Sequence, residues 1–332
     1  MFHLNKQLLL LAVFCCSLAG MAQEKDKKEK DKAYVEKVNA LFSTRPFVNQ
    51  NIDLFTFNYP DSEESTLLYR PATGLNVGGE VAFKFLSFSY QKNLPLLQPG
   101  VPENFKADHQ RIGFELGGKI FGLGIDYQQN SGFYVLNPSI LPPDAIGSQF
   151  REDMNSKTFG TSLRFTFSNK LSANALFDQS ERQLKSKGAL TFIMSNRFHN
   201  FTADTAFIPP VFAGNYAESA TADRIWINSL QFMPGYGYIA VAGNWNIGLF
   251  LYSGTGLQIR KYFNETEEKL GLRVPYVAKG KGGISYNGKF IYAKLFAMAD
   301  YTTVGMKDAR IGWLQSSWEF SIGFRLYGKK DK

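Results

Sequence analysis

Cysteine is almost missing from this chain of 332 residues: there are two, Cys15 and Cys16, side by side near the start. Neither follows the small residue that lipid attachment requires, since Phe14 precedes the first and Cys15 the second. Beyond residue 22 no cysteine remains, which excludes disulfides and thiolate metal sites from the rest of the chain. Histidine is scarce as well. His109 and His199 are the two beyond the first few residues, and neither has a second His or a carboxylate four positions away. That removes the helical metal-ligand pattern, and no cofactor is expected. A Gly-x-Ser-x-Gly elbow is also missing, so Asp108-His109 has no exposed serine nucleophile to activate and reads as a surface dipeptide. Long apolar runs are confined to the first residues, which excludes a bundle of membrane-crossing helices.

What is present starts with a leader. Lys6 supplies positive charge, Leu8 to Leu18 an apolar stretch, and Gly20-Met21-Ala22 a small-residue site, so residues 1–22 read as a signal peptide cut between Ala22 and Gln23. The alternative is a membrane anchor, for which the run is short. Glu24 to Lys32 alternate in sign and nearly cancel, as in a solvated linker, taken here as periplasmic and extending over 23–48. Val35, Val38, Leu41 and Phe42 have helical spacing, so that linker holds either a short helix or more linker. The formal net charge of +8 suits an anionic surface, but export argues against nucleic acid as a partner.

The composition is rich in rings and glycine: 30 Phe, 16 Tyr and 30 Gly, with 44% hydrophobic and 20% charged residues. From about Asn51 onward the dominant period is two. Trp318, Phe320, Ile322, Phe324 and Leu326 share one face, against Glu319, Ser321, Gly323 and Arg325 on the other. Phe159, Thr161, Leu163, Phe165 and Phe167 likewise oppose Gly160, Ser162, Arg164 and Thr166; Ile112, Phe114, Leu116 and Ile120 oppose Arg111, Glu115 and Lys119. The pattern gives candidate strands at 51–59, 74–83, 86–91, 111–120, 122–128, 158–167, 171–179, 189–197, 226–242, 246–260, 273–286, 289–300 and 316–327. That count is odd, whereas a single-chain bacterial barrel with both ends on one side needs an even one. The expectation is therefore an all-β transmembrane antiparallel up-and-down β-barrel of about 12 strands, with 10 or 14 admissible, over residues 49–332.

Connections come in two lengths. Tight turns are placed near Lys84-Phe85, Ile120-Phe121, Asn169-Lys170, Asn244-Trp245 and Asn287-Gly288, the last a type I′ dipeptide. Long polar stretches occupy 92–110, 129–156, 198–223, 261–271 and 301–315. Short periplasmic turns alternating with long extracellular loops are the layout of an outer-membrane barrel. The alternative is a secreted β-sandwich, but several candidate strands are long for one and close to the roughly 9–11 residues that cross a bilayer with tilt.

Gly124-Ile125-Asp126-Tyr127-Gln128 followed by Gly132-Phe133-Tyr134, and the run Phe177 to Gly188 with Gln183, Lys185 and Ser186, resemble an uncharacterised Bacteroidota family of outer-membrane β-barrels, domain of unknown function 4421. The resemblance spans roughly residues 45–327. It implies an outer-membrane barrel and brings no substrate and no catalytic residues. Lys187 stands where a small residue is expected.

Other motifs carry less. Gly283 to Lys289 match seven positions of a phosphate-binding loop, but Phe290 replaces the Ser or Thr that holds magnesium, and a hairpin explains the run. Asp204-Thr205-Ala206 resembles a short O-glycosylation sequence. Charges on the polar strand faces are the candidate functional residues: Arg111, Glu115, Lys119, Arg164, Glu319 and Arg325, with Glu80, Asp126, Asp178 and Lys294 beside them. They either line a selective path or pair across a narrow interior and fill it. The leading expectation is a narrow channel or small-solute transporter that is not an enzyme. The alternatives are a closed structural or surface-interaction barrel and a lipid-acting membrane enzyme. Expected partners are outer-membrane lipid, the barrel-assembly machinery and a small solute.

Overall fold

The computed structural model describes residues 34–59, 62–94, 102, 104–118, 120–141, 149–216, 220–263, 268–305 and 310–328. The leader with Ala22 and Gln23, the charged run that follows it, and Lys119 lie outside the described residues. The strands are β1 (Val35–Lys37), β2 (Phe42–Tyr59), β3 (Ser62–Pro71), β4 (Leu75–Phe83), β5 (Leu86–Asn93), β6 (Asp108–Gly117), β7 (Phe121–Val135), β8 (Phe150–Thr166), β9 (Glu181–Gln183), β10 (Lys187–Thr202), β11 (Arg224–Ala242), β12 (Trp245–Phe263), β13 (Glu268–Arg273), β14 (Tyr276–Asn287), β15 (Ile291–Gly305) and β16 (Arg310–Leu326).

Twelve of them close an antiparallel barrel in the order β2, β4, β5, β6, β7, β8, β10, β11, β12, β14, β15, β16 and back to β2. The closing seam runs from Leu326 opposite Phe42 to Arg310 opposite Asn58. Each of the twelve thus has a neighbour on both sides, which satisfies backbone groups that lipid could not and removes the open edges a sandwich would keep. Two strands are flaps on this ring. β3 continues the line of β4 but leans across to pair Tyr69–Pro71 with Phe133–Val135 of β7, and β13 folds back on the upper part of β12.

Period two sorts the side chains as hydrocarbon outside and water inside demand. On β16 Phe324 is 47% exposed on the outer wall while Arg325 beside it is 4% exposed inside. On β12 Trp245, Ile247, Leu249 and Leu251 form the same outward belt.

The start of β2, the end of β16 and the tight turns lie at one end of the barrel, called the turn end; the other end, reached by the connections between β5 and β6, β7 and β8 and β10 and β11, is the loop end. Lys84 turns the chain with a φ of 56° and Gly243 with 63°. The connection expected as a type I′ turn is instead 288–290. Gly288 does not take the positive φ that turn needs; among described glycines only Gly132 and Gly243 do.

Three expectations are corrected here. Residues 171–179 are not a barrel strand, and Asn169-Lys170 is not a tight turn between strands. The stretch contains a 3-10 turn at Ala173–Ala175, with Ser172 Oγ accepting from the Ala175 amide at 3.1 Å, inside a long connection from β8 to β10. Removing it resolves the odd count. The helical spacing over Val35 to Phe42 gives no helix: β1 pairs with β9, and β2 begins at Phe42 rather than at 49, because those backbones find strand partners in Glu181–Gln183 and in β16.

Candidate functional site: a chamber between two seals

The bore of the barrel is filled in three layers. At the loop end, inward side chains of several strands meet rings from the connection between β10 and β11. Phe55, Tyr69, Phe133, Phe201, Phe207, Ile225, Tyr262 and Trp313 belong to one buried cluster, with Phe55 stacked on Trp313 at 5.2 Å and packed edge-on against Phe201 at 4.2 Å. The Tyr69 hydroxyl donates to the Phe207 carbonyl at 2.6 Å, which ties the connection down. Arg151 and Asp153, paired at 2.8 Å, grip the same connection through the carbonyls of Thr205 and Ala206. The Thr205 hydroxyl of the glycosylation-like triplet accepts from Arg151 at 3.0 Å.

Below that seal lies a sheet of amides. His109 sits at its centre, 1% exposed. Its Nδ1 stands 2.6 Å from Asn130 Oδ1, and its Nε2 faces the side-chain nitrogens of Asn51 at 2.9 Å and Gln91 at 2.7 Å. Both amide nitrogens are donors, so Nε2 accepts and Nδ1 carries the proton, an assignment from the bonding pattern. Asn130 donates in turn to Asp53 at 3.0 Å. The partners of His109 are therefore Asn130 and two amides, not Asp108, which faces Lys92 at 3.9 Å. His199, against Thr158 and Trp313, belongs to the apolar layer. Among the described residues no three His, Asp or Glu side chains gather as a metal site would require.

The middle layer is a polar chamber of about 180 Å³. Arg111, Glu115 and Glu319 line it, together with Arg45, Glu80, Asp126, Asp178, Arg197, Lys279, Lys281 and Lys294. Opposite charges pair around it, between neighbouring strands of the wall and, from Arg197 on β10 to Asp300 on β15, across the bore. Lys279 meets Asp300 at 2.6 Å and Arg197 meets the same carboxylate at 3.1 Å; Arg45 meets Glu80 at 2.6 Å, Lys294 meets Glu319 at 3.1 Å, and Arg111 and Asp126 stand 3.8 Å apart.

The turn end is closed by the connection from β8 to β10, which enters the bore as a plug. One of its faces is apolar: Leu171, Ala173, Leu176 and Phe177 pack on Ile193, Met233, Ile239, Phe250 and Val277 of the wall. Gly248 makes room for it, since a Cβ there would stand 2.6 Å from Leu176 Cδ2. The other face is held through its backbone. Arg45 and Lys294 donate to the Phe177 carbonyl at 3.0 and 2.9 Å, and Arg325 donates to the Gln179 carbonyl and to Asn287. Gln179 adopts a φ of 54°, which turns its carbonyl side of the chain sharply. Arg164 donates to the Asn174 side chain. Burial, with the Glu115 carboxylate nearby, holds the Asp178 carboxyl well above the usual carboxylate range. From outside, β1 pairs with β9, and the Tyr34 ring lies under Lys185 at 4.9 Å and Lys170 at 5.6 Å.

The candidate residues thus divide. Arg111, Glu115 and Glu319 face the chamber, whereas Arg164 and Arg325 hold the plug. Asp178, read as a strand-face charge, stands on the plug itself. Sequence reasoning missed Arg45, Arg197, Lys279, Lys281 and Asp300. Their parity with neighbouring buried positions was the available signal.

The sequence matches the family described as Domain of unknown function (DUF4421) over residues 29–325. No curated protein matches it. Among solved structures it is similar to the outer membrane protease OmpT from Escherichia coli at 8% identity, covering 86% of this chain and 96% of that one with a TM-score of 0.38. The translocator domain of the autotransporter NalP from Neisseria meningitidis is similar at 11% identity, 97% and 98% coverage and a TM-score of 0.35. The toluene transporter TodX from P. putida follows at 7%, 86% and 90%, and 0.31. The expectation that the chain is not an enzyme is corrected by the first of these: barrels of this build include a protease, so the fold leaves catalysis open.

Proposed function

The chain belongs to the DUF4421 family, and from that premise and the closed barrel we propose an outer-membrane protein that rests sealed and acts as a structural or surface-interaction barrel. The observation that carries this reading is the double seal, an apolar layer at the loop end and a latched plug at the turn end, with opposite charges paired between them. Export through residues 1–22, cleaved between Ala22 and Gln23, with assembly by the barrel-assembly machinery into a lipid bilayer of a Bacteroidota cell, belongs to the same reading.

One observation favours a second reading, a gated path for a small solute. The plug's polar face is held by hydrogen bonds to two carbonyls, a latch that water can replace, and a polar chamber lies behind it. Bilayer conductance separates the two. Native protein, a variant lacking residues 169–185, and Arg164→Ala with Arg325→Ala are compared in a salt gradient. The sealed reading expects silence from the native protein and the deletion, because the loop-end layer persists, and silence with a loosened plug in the double variant. Steady conductance on plug removal, with a weak anion preference set by Arg111, supports the gated path instead.

A further inference from the structure

A buried charge that finds no partner is expensive to keep, because the hydration it gives up is not replaced. We propose that Arg260 of β12 and Arg273 of the flap β13, on the inner face of these strands at the loop end, bind a dianionic phosphate group. The site lies outside the charged chamber and goes beyond both readings of the barrel.

Comparison with the other cations singles Arg260 out. Among the described residues Arg45, Arg151, Lys279, Lys294 and Arg325 are also buried, and each meets a carboxylate or a backbone carbonyl. Arg260 is 5% exposed and has no hydrogen bond or ion pair among the described residues; its Nε and Nη1 are shut off from water without an acceptor. The strands beside it offer none. Opposite it stand Ile227 on β11 and Gly271 on β13. Tyr262, the next inward residue of β12, belongs to the apolar layer, so the site sits at the margin of that seal.

Register puts a second guanidinium on the same face. Gln258 and Arg260 stand opposite Arg273 and Gly271, so the two arginines are diagonal neighbours, about 7–8 Å apart by sheet geometry. Arg273 is exposed and opens the face to water. Gly271 gives the buried guanidinium its place: a Cβ there would stand 2.7 Å from Arg260 Nε and 3.2 Å from Nη2. Among the described strands β13 pairs with β12 alone, so the flap can lift to admit a ligand.

Charge selects that ligand. Two guanidinium groups present two positive charges and forked N–H donors that match oxyanions. A carboxylate balances one of them. A phosphate group, with a charge of about −1.5 to −2 at neutral pH, balances both. Gln258, fully buried on the same face, keeps its Oε1 without a partner, and a protonated phosphate oxygen can donate to it.

The test is calorimetric titration of the full chain, refolded in neutral detergent, with inorganic phosphate, phenyl phosphate or acetate at constant ionic strength. Both phosphates should bind, and acetate should bind far more weakly. Tighter binding of the ester means that the group arrives on a larger solute; equal binding means that it arrives free. Arg260→Gln should weaken both phosphates tenfold or more, the scale of losing hydrogen bonds to charged groups. Gly271→Ala keeps both charges but crowds the guanidinium, and should weaken them as well. Lys289→Gln, an equal charge change at the turn end, should leave binding unchanged. Without phosphate, the denaturant midpoint of Arg260→Gln should equal or exceed the parent value, and phosphate should raise the parent midpoint alone. Heat-modifiable gel mobility confirms that each variant is folded. No binding of either phosphate to the parent, undiminished binding in Arg260→Gln, or acetate binding as tightly as phosphate would overturn the proposal. Binding that appears only when Glu265→Gln, Glu267→Gln and Glu268→Gln are combined would overturn it too, since the chain's own carboxylates would then be the ligand.

Discussion

Leu176→Ala should free the plug without unfolding the barrel. Leu176 is fully buried, and its Cδ2 occupies the space that the missing side chain of Gly248 leaves in the wall. Truncating such a leucine costs about 2–5 kcal/mol, transfer plus residual cavity. The plug connects two strands but contributes no stave to the ring, so the loss falls on its docking equilibrium rather than on the hydrogen-bonded wall. At 1.4 kcal/mol per decade the undocked fraction should rise by roughly thirtyfold to a few thousandfold. The assay exploits the lack of cysteine beyond residue 22: Ala175→Cys puts a single thiol on the plug at a fully buried position. Its labelling rate by a charged thiol reagent, in refolded protein, reports opening. Labelling should accelerate by that factor in Leu176→Ala, while the denaturant midpoint of the barrel hardly moves and Leu190→Ala, on the exposed outer wall, changes neither. A labelling rate that stays at the parent value refutes the separable plug, and so does acceleration that only tracks global unfolding.

Three further outcomes are expected. Phe324→Lys, on the lipid face, should cost about 2–4 kcal/mol in refolding stability if it lies near the bilayer midplane, against a small effect for Ser317→Lys beside the chamber. Asp178→Asn should stabilise plug docking at neutral pH. The raised folded pKa means that docking weakens as pH climbs from the unfolded carboxylate value, near 3.9, through the folded one, so the variant's advantage should vanish in acid and its pH profile should be flatter; equal labelling profiles for Ala175→Cys with and without Asp178→Asn would contradict this. Lys84→Gly should raise the unfolding midpoint, by up to about 1 kcal/mol, because Lys84 holds a left-handed φ that glycine adopts without a Cβ clash; an unchanged or lower midpoint counts against it.

The ring was legible because membrane strands must alternate, and β16 shows the rule from Trp318 to Leu326 with every outward position apolar. The plug was not legible for the same reason. Leu171, Ala173 and Ala175 alternate with Ser172 and Asn174 until Leu176 breaks the pattern, and a buried segment walled on all sides can carry such a stretch without being a strand. The loop-end layer hid in a stretch read as polar: Phe207 and Ile208 are covered only because β3 and Arg151 bring the connection between β10 and β11 over the bore. For the charges, parity told which face Arg111, Glu115 and Glu319 take. It was silent on partners, because the acceptors for Arg45 and Arg325 are backbone carbonyls on a segment far away in sequence. The fragment from Phe177 to Gly188 that carried the family resemblance turns out to run from the plug through β9 into the start of β10.

The two arginines that latch the plug stand on β2 and β16, the first and last staves of the ring. Until those strands meet, Arg45 and Arg325 are not on one wall and the carbonyls of Phe177 and Gln179 have no common socket. Latching is therefore an event that follows seam closure during biogenesis. Contacts formed only after the rate-limiting closure do little to hasten folding, but every one of them must break before the seam can reopen, so they slow unfolding. A connection that supplies no stave of its own thus gives the finished protein a long native lifetime, by acting as a bolt across the one joint where the first and last staves of the ring meet.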